Sequence, residues 1–268
     1  MTAAPALSDF LQRHARLAVL TGAGCSAPSG IPDYRDPDGT WKHAKPMTFG
    51  EFTGSSAARR RYWAGSLRGW PRVRDARPND AHRAIVRLEA QGRLTGLVTQ
   101  NVDGLHQRAG SRRVVDLHGR LDTVECLDCG GRVDREDVQA LLLAWNPAFT
   151  GDAEIRPDGD ARVAGDLDSF RIPDCPACGG VLKPGVVFFG ENVPRPRVDQ
   201  AMAALDEADA LLVVGSSLMV FSGYRFVLAA HEQGRPVALV NLGQTRADGD
   251  VWLKVTDDCA VVLSAVIP

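Results

Sequence analysis

The stretch Leu17-Ala-Val-Leu-Thr-Gly-Ala-Gly-Cys-Ser-Ala27 joins a short apolar run to a glycine-rich turn. The run predicts a buried strand over 17–20. The turn fits G-x-G-x-x-A, in which the backbone can approach a pyrophosphate at a helix N-terminus. Taken alone, this turn is explained equally well as a tight bend. The acidic residue that usually follows about 20 residues later is missing. A loop over 31–39 with Asp33, Tyr34 and Arg35 follows instead, so any dinucleotide is not held as in an ordinary dehydrogenase.

The same order of strand, polar turn and helix recurs along the chain. Apolar runs predict strands over 97–99, 114–117, 210–214 and 236–240, and a short extended segment over 186–189. Amphipathic periodicity predicts helices over 1–16, 81–91, 198–208 and 224–233. This alternation is typical of a parallel sheet wrapped by helices, with ligands bound at the carboxyl ends of the strands. The sequence therefore predicts a Rossmann-like α/β domain.

Length and composition exclude several classes of protein. The chain has 268 residues, of which 44% are hydrophobic and 24% charged, and its formal net charge is −2. These values are typical of a globular protein with one large or two smaller domains. They give no sign of a general polyanion binder. The sequence predicts no membrane span and no secretory signal, and we expect a cytoplasmic protein.

Polar residues follow three of the predicted strands. Gln100-Asn101-Val102-Asp103 clusters amide and carboxylate groups, although a capped turn would explain it equally well. Gly215-Ser216-Ser217 suits a phosphate, and Asn241-Leu242-Gly243 suits ribose hydroxyls. Each of these signals is weak alone.

His118 ends an apolar run. A neutral imidazole in a cleft is the usual general base near pH 7. Without a known partner, a structural histidine bonded to a carbonyl is the more frequent explanation.

Six cysteines divide into two pairs and two single residues. The pairs are Cys126-Leu-Asp-Cys129 and Cys175-Pro-Ala-Cys178. Two C-x2-C pairs in a chain without an export signal predict one tetrahedral, closed and therefore structural zinc site. A redox-active cysteine pair is the alternative, but it would need only one C-x2-C motif, whereas a metal site explains both. Cys25 and Cys259 stand alone, and a buried apolar role is the more frequent explanation for Cys259.

The chain also carries two compositionally distinct segments. Residues 41–77 combine aromatic residues with many arginines and predict a small helical module, whereas 121–180 hold the paired cysteines and a Gly/Asp/Pro-rich loop over 146–168. We therefore expect one unit of 1–268, with the Rossmann-like part formed by 1–40, 78–120 and 181–268. Arg59-Arg60-Arg61 would suit nucleic acid, but a solvated helix face is the more frequent explanation.

Together, these motifs resemble the sirtuins. The resemblance rests on Gly22 to Arg35, Thr99-Gln-Asn-Val-Asp-Gly-Leu-His106, Leu117-His-Gly119, the two C-x2-C pairs, Lys183-Pro-Gly-Val-Val-Phe-Phe-Gly-Glu191 and Gly215-Ser-Ser-Leu218. They follow in the family's order over nearly the whole chain. Trp41-Lys42, Arg61-Tyr-Trp63, Asn192-Val193 and the long insert most resemble the class II branch, which includes the mitochondrial lipoamidase-type enzyme.

The resemblance implies an NAD-dependent protein-lysine deacylase that releases nicotinamide and O-acyl-ADP-ribose. The implied catalytic residues are His118 as general base, with Asn101 and Asp103 orienting ribose, water and carboxamide. The implied NAD⁺ contacts are Gly22, Ala23, Gly24, Ser26, Asp33, Tyr34, Arg35, Gln100, Asn101, Asp103, Gly215, Ser216, Ser217, Asn241, Leu242, Gly243 and Cys259. Val187, Phe188, Phe189 and Gly190 would line the acyl-lysine tunnel, and residues 220–223 would flank the substrate peptide. Zinc would be bound by Cys126, Cys129, Cys175 and Cys178.

The partner implied is an acylated lysine in a protein, held as an added strand by backbone hydrogen bonds. No Tyr-x-x-Arg, the carboxylate-binding pair of desuccinylating relatives, occurs in the chain. We therefore expect neutral acyl groups, with longer or lipoyl-like ones within reach. Two alternatives stay open, namely mono-ADP-ribosyl transfer to a protein and a non-catalytic, NAD-responsive zinc module. No specific nucleic acid and no membrane partner are expected, and the sequence leaves the oligomeric state undetermined.

Overall fold

The computed structural model describes residues 3–42, 46–149, 153–155, 161–163 and 167–268. In chain order, its strands are β1 (Leu17–Thr21), β2 (Leu94–Thr99), β3 (Val114–Asp116), β4 (Gly119–Cys126), β5 (Arg132–Asp134), β6 (Ala153–Ile155), β7 (Ala161–Val163), β8 (Leu182–Val186), β9 (Ala210–Val214), β10 (Val237–Val240) and β11 (Leu253–Val255). Its helices are α1 (Ala3–Arg13), α2 (Ala23–Ser26), α3 (Phe49–Gly54), α4 (Ser56–Asp75), α5 (Asp80–Ala90), α6 (Leu105–Ala109), α7 (Arg135–Trp145), α8 (Arg195–Asp206), α9 (Phe221–Glu232) and α10 (Cys259–Val266). A short 3₁₀ turn covers Ala27–Ser29.

The main sheet has six parallel strands in the spatial order β11-β10-β9-β1-β2-β3. From β1 the chain builds the sheet in one direction through β2 and β3, and later in the other direction through β9 to β11. The order therefore reverses between β1 and β9, where open α/β sheets bind their ligands. The predicted Rossmann-like sheet is confirmed.

Helices cover both faces of this sheet because successive side chains of a strand point to opposite faces. Val19 and Leu212 belong to the core under α1, α5 and α10. Ala18 and Leu211 point the other way, into the core under α8 and α9. All five residues of β1 and of β9 are buried, which explains why these strands are continuous apolar runs in the sequence.

A smaller part is built from the two segments with distinct composition together with β8 and the residues that follow it. Its sheet has three antiparallel strands in the order β5-β4-β8. The predicted helical module contains α3 and α4, and α3 begins at a capping box made by Thr48 and Glu51. Phe52 and Trp63 of these helices share one buried core with Leu121, Leu142 and Phe188. The helical segment and the cysteine-bearing insert therefore pack as a single body, and the boundaries drawn between them stay a prediction.

Several elements differ from the sequence prediction. Strand β8 ends at Val186, the first residue of the extended segment expected over 186–189, and an isolated parallel bridge joins Phe189 at the other end of that segment to Thr48. Helix α7 lies in an insert that we expected to be loop-rich, and α10 follows Asp258, whose carboxylate caps Ala260 and Val261 N–H at 2.7 and 3.1 Å. The loop expected over 146–168 lies partly outside the described residues.

The arginine run of α4 makes contacts within the chain. Arg59 donates to the carbonyl oxygens of Phe52 and Thr53 at 3.2 and 3.0 Å, and Arg60 lies 3.4 Å from Asp168. These contacts favour the helix-face interpretation of the run. Within the described residues, no helix combines the length and apolar character needed to cross a bilayer.

Replacing Gly215 with alanine should destabilise the fold. Gly215 has φ +62°, and a Cβ atom there would lie 2.1 Å from the backbone nitrogen of Cys25. Strained backbone costs of order 1–3 kcal/mol, and the clash is with backbone, so we expect a loss of about 2 kcal/mol or more in the free energy of unfolding. Urea unfolding followed by circular dichroism measures it. Gly249→Ala is the matched control, because an added Cβ there meets nothing within 4 Å; equal stability of the two variants would contradict the argument.

Candidate active site and metal centre

A cavity of about 720 Å³ opens at the carboxyl ends of β1, β2, β9 and β10. One wall is the main sheet and its turns, and the other is the smaller part, including residues 187–190. The cavity therefore lies at the reversal of strand order, where the topology predicts a ligand site.

Two turns interlock at the floor of the cavity. Gly22 N–H donates to Val214 O at 3.1 Å, and Gly24 N–H donates to Gly215 O at 2.8 Å. A Cβ atom on Gly22 would lie 2.8 Å from the Ser216 Cβ, and one on Gly24 would lie 3.0 Å from Gly215 O. Glycine is required here because the two backbones touch. The contact leaves the turn after β1 exposed to the cavity as a backbone surface.

A polar cluster lies behind this turn. Asn101 Nδ2 donates to Gly22 O at 2.9 Å and to Ser26 Oγ at 3.0 Å, and Ser26 Oγ donates to Asp103 Oδ2 at 2.7 Å. Asp103 Oδ1 accepts from Leu105 N–H at 2.8 Å, which is the capped turn that we considered as an alternative. Burial raises the pKa of Asp103, against the lowering effect of these hydrogen bonds. Asn101 lines the cavity, whereas Ser26 and Asp103 are absent from its lining.

Gln100 connects the ends of β2 and β9. Its Nε2 donates to Ser216 Oγ at 2.7 Å and more weakly to Thr21 O at 3.3 Å. Ser216 Oγ in turn accepts from Leu218 N–H at 3.2 Å. Among the described residues, Leu218 alone has a positive φ without being glycine, at 56°. A strained backbone of this kind persists mainly at functional sites, where the surrounding contacts fix it. The loop after Ser216 is therefore held in an energetically unfavourable backbone conformation beside the cavity.

His118 lies in the cavity wall with both ring nitrogens engaged. Nδ1 lies 2.9 Å from Gln100 O, which can only accept, so Nδ1 carries the proton. Nε2 of the neutral ring then accepts from Ser222 Oγ at 2.8 Å. Burial lowers the pKa of His118 to about 4, with smaller effects of Arg197 and Arg225 in the same direction. The ring is therefore neutral near pH 7, with a basic nitrogen facing a hydroxyl group at the cavity.

The loop over 33–42 forms an aromatic wall of the cavity. The Arg35 guanidinium lies 4.1 Å over the Trp41 ring and donates to Gly39 O at 2.7 Å. Trp41 packs edge-on against Phe189 at 5.8 Å, and Tyr34 lies 6.4 Å from the same ring. These contacts hold the loop against the opposite wall.

The segment after β8 forms that opposite wall. Val187 N–H donates to His118 O at 2.8 Å, so the segment is fixed beside the imidazole. Glu191 Oε2 accepts from Phe188 N–H at 2.9 Å and from Lys183 Nζ at 3.1 Å. Lys183 is only 4% exposed, whereas Glu191 is partly exposed, and the pair fixes the turn that carries Phe188.

The far end of the cavity is formed after β10. Asn241 Nδ2 donates to Gly243 O at 3.0 Å, and Gln244 N–H donates to Pro37 O at 2.7 Å. Leu242 is 60% exposed. Cys259 is buried, with Sγ 3.6 Å from Val240 O, and it lines the cavity as well as filling the core.

The four paired cysteines meet at the end of the smaller sheet. The Sγ atoms of Cys126 and Cys178 are 3.5 Å apart, and those of Cys129 and Cys175 are 3.8 Å apart. Four sulfurs at the usual Zn–S distance of about 2.3 Å would be about 3.8 Å from one another. Backbone N–H groups, first that of Cys129, lower the pKa of Cys126 to about 7. The donor set fits one tetrahedral, closed zinc site and leaves no position for substrate.

The cavity brings together nearly all the residues predicted to contact cofactor and substrate. Those that line it are Gly22, Ala23, Gly24, Asp33, Tyr34, Arg35, Gln100, Asn101, His118, Val187, Phe188, Phe189, Gly190, Gly215, Ser216, Ser217, Asn241, Leu242, Gly243 and Cys259. Ser26 and Asp103 do not line the cavity. Their side chains are hydrogen-bonded to each other behind the residues that do. The individual roles of all these residues stay predictions.

Sequence reasoning missed the Ser222 hydroxyl as the partner of His118. It also gave no cavity role to Arg225, Tyr62 or the Pro37–Gln244 contact. No local signal marked them, because each reaches the cavity from a segment distant in the chain.

Comparisons with known proteins agree with this geometry. The profile of the Sir2 family matches residues 22–222. An NAD-dependent protein deacetylase of Xanthomonas campestris pv. campestris (strain 8004) is 58% identical over 264 residues, which cover 97% of this chain and 89% of that protein. The NAD-dependent protein deacetylase 2 of Bradyrhizobium diazoefficiens is 56% identical over 97% of this chain and 96% of that protein. The NAD-dependent protein deacylase Sirt4 of Drosophila melanogaster is 49% identical, with coverages of 96% and 84%.

Solved structures extend the similarity to the fold. A Sir2 protein with a p53 peptide and NAD⁺ is 30% identical with a TM-score of 0.79, over 99% of this chain and 97% of that one. A Sir2 protein bound to an acetylated peptide is 29% identical with a TM-score of 0.79, over 98% and 96%. The fold is thus shared along nearly the full length.

Replacing Cys175 with serine should remove the ion of the four-cysteine site. Structural zinc is worth about 10–16 kcal/mol in zinc-finger peptides, so we expect the variant to lose one equivalent of zinc and the smaller part to unfold. Metal analysis and hydrogen exchange of β4 and β8 measure both effects. Cys259→Ser is the control, since this cysteine lies outside the tetrad. A Cys175→Ser chain with an unchanged zinc content would contradict the assignment.

His118 should stay neutral at pH values where an exposed histidine is already protonated. Burial lowers its pKa from 6.5 to about 4, so the neutral form with Nδ1–H should persist down to about pH 5. Nitrogen-detected NMR of the histidine rings reports both charge and tautomer, and His118→Gln assigns the signal. A titration midpoint near 6.5, or a proton on Nε2, would refute the geometry described above.

Proposed function

This chain belongs to the Sir2 family, and from that premise we propose that it is an NAD-dependent protein deacetylase that acts on acylated lysine in proteins. The observation that carries the proposal is the imidazole of His118, neutral and with Nε2 facing a hydroxyl group in a cleft at the reversal of strand order. Relatives of this chain that are named NAD-dependent protein deacetylases are 55–58% identical to it.

The cleft offers a place for each half of NAD⁺. The backbone surface of Gly22–Gly24 suits the pyrophosphate, and Ser216 and Asn241 suit the phosphate and adenosine half. Asn101 presents its amide at the cavity, held by Gly22 O and Ser26 Oγ. When bound, NAD⁺ would supply an electrophilic ribose carbon as nicotinamide leaves. Asp103 would then act as a positioning residue behind Asn101 and Ser26, rather than touch the cosubstrate.

His118 would take a proton from a ribose hydroxyl at Nε2. In the free protein that nitrogen accepts from Ser222 Oγ, so the ribose hydroxyl would replace the serine. The proton on Nδ1 stays bonded to Gln100 O, which fixes the tautomer that leaves Nε2 basic.

The acyl-lysine would enter between residues 187–190 and 220–223. Backbone pairing with these segments would bind many peptides with little sequence choice. Val102, Phe188 and Tyr62 give this part of the cavity an apolar lining, which favours neutral acyl groups. Arg225 also lines the cavity, but its guanidinium lies 5.3 Å over the Phe221 ring.

The finer assignments are also proposals. The 49% identity with the fly protein named as the deacylase Sirt4 supports acyl groups besides acetyl, and the class II, lipoamidase-type branch rests on the sequence motifs alone. Zn²⁺ at the cysteine tetrad would be structural and outside the reaction. A cytoplasmic location is supported by six cysteines that form no disulfide among the described residues.

The decisive experiment offers the protein NAD⁺ and one lysine peptide carrying, in turn, acetyl, butyryl, octanoyl, lipoyl and succinyl groups. We expect nicotinamide release with the neutral groups and at least tenfold slower release with succinyl. Mass spectrometry of O-acyl-ADP-ribose confirms that the acyl group is transferred. His118→Ala should lower turnover by at least 10²-fold, because a positioned general base contributes about 10²–10⁴-fold.

A measurement of NAD⁺ binding distinguishes a protein that cannot bind the cosubstrate from one that binds it without deacylating lysine. His118→Ala should bind NAD⁺ with nearly unchanged affinity by calorimetry, since the residues suited to the pyrophosphate and adenosine are intact. Silence across the whole panel, from zinc-loaded protein that binds NAD⁺, would reject the deacylase. ADP-ribose appearing on a protein faster than O-acyl-ADP-ribose forms would replace it with mono-ADP-ribosyl transfer.

A further inference from the structure

A second group of metal-binding side chains lies in the core behind the cleft. It consists of Cys25 on α2, His82 on α5 and His106 on α6. One ligand atom from each residue lies within 4.8 Å of the other two. Cys25 and His82 are 0% exposed and His106 is 1% exposed. Neither the proposed reaction nor the cysteine tetrad uses this group.

Each imidazole has one nitrogen with a partner and one without. His106 Nε2 lies 2.9 Å from Thr21 Oγ1, and His82 Nδ1 accepts from Asn79 N–H at 3.3 Å. His106 Nδ1 and His82 Nε2 are buried and have no hydrogen-bond partner among the described residues. Buried polar atoms are nearly always paired in folded proteins. Two unpaired nitrogens on rings whose centroids are 4.7 Å apart, beside a thiol, therefore indicate a shared ligand.

The donor set suits a divalent cation of the zinc class. One thiolate and two neutral imidazoles are typical zinc ligands, at about 2.3 and 2.0–2.1 Å. Around a tetrahedral ion, ligand atoms at these distances are about 3.3 Å (two nitrogens) or 3.6 Å (sulfur and nitrogen) apart, so separations that are now up to 4.8 Å would shorten by up to about 1.5 Å on binding. The bond from His106 Nε2 to Thr21 Oγ1 holds the second nitrogen of that ring, as is usual for a metal-bound histidine.

The protonation of the two histidines also fits a metal site. Burial lowers the pKa of His82 to about 4 and lowers that of His106 as well, which keeps both rings in the neutral form that binds metals. The ion would displace the thiol proton of Cys25, leaving a local charge of +1. Burial, and after it the charges of Cys259 and Asp103, raise the pKa of the Cys25 thiol, so the thiolate would form only together with the bound ion, whose charge the Asp103 carboxylate would then partly offset. At His82 the ring proton would move from Nε2 to Nδ1. Nδ1 could then no longer accept the 3.3 Å hydrogen bond from Asn79 N–H.

We propose that Cys25, His82 and His106 form a second metal site that binds Zn²⁺ within the core of the Rossmann-like part. It joins the glycine-rich turn after β1 to the starts of α5 and α6. Since all three side chains are buried, the ion enters as the chain folds.

The test counts zinc in the full chain produced with zinc and washed with EDTA. Wild type should hold two ions per chain, and Cys25→Ser and His106→Gln should hold one each. Cys259→Ser is the matched control, because it removes an equally buried cysteine from the same part of the molecule and should keep two. Circular dichroism shows whether each variant is folded.

Zinc-edge X-ray absorption of the wild type needs no variant. If both sites are occupied, the average zinc coordination shell contains sulfur and imidazole nitrogen, whereas the tetrad alone gives a shell of sulfur only. One ion per chain with an all-sulfur spectrum would overturn the proposal and leave His82 and His106 as an imidazole pair packed on a thiol. The second site would also be rejected if folded Cys25→Ser and Cys259→Ser chains held equal amounts of zinc.

Discussion

The contact between two backbones at the carboxyl ends of β1 and β9 is the constraint on which the site depends. Gly24 N–H reaches Gly215 O at 2.8 Å, and no side chain fits between the two turns. Because the strands are adjacent and parallel, their turns emerge side by side and must either diverge or interlock. Interlocking leaves no room for side chains at this point, so that a ligand would meet the backbone of the turn. It also explains why the turn sequence is built from residues without large side chains.

Polar side chains of the segment after β2 hold the rest of the cleft to these turns. Gln100 bonds Ser216 beyond β9, and Asn101 bonds Gly22 beyond β1. The carbonyl of Gln100 also fixes the ring of His118. One short segment therefore positions the two interlocked turns and the imidazole relative to one another. Because these groups are partly buried, leaving any of them unpaired would cost free energy, and each of them is paired.

Whether a feature of the fold or of the site could be predicted from the sequence depends on the sequence separation of the residues that form it. The parallel sheet, the glycine turn and the cysteine pairs are local patterns, and they could be predicted from runs of a few residues. Ser222 meets His118 across 104 positions, and no pattern in either segment encodes that meeting. Cys25 stood alone in the sequence for the same reason, since His82 and His106 join it only through tertiary packing. The part of strand β8 before Val186 was missed because Pro184 and Gly185 interrupt its apolar pattern.

The position of the cysteine tetrad shows how a closed metal site can serve a reaction that it does not touch. Strand β4 runs from Gly119, next to His118, to Cys126, and β8 runs back from the second cysteine pair to Val186. The pair is therefore clamped at one end by the sulfurs, and at the other end Val187 N–H bonds His118 O at 2.8 Å. Cys126 pairs with Leu182 and Gly119 with Val186, so the two ends are four steps apart along β8, about 14 Å at about 3.4 Å per residue, and β4 has a register shift between Gly119 and Val124. Loss of the metal would release the two strands at one end and thereby loosen the register at the other, where the imidazole and the wall with Phe188 must stay side by side. The insert therefore stabilises the wall of the cleft from a distance, through the β4–β8 pair and through the core that it shares with the helical segment.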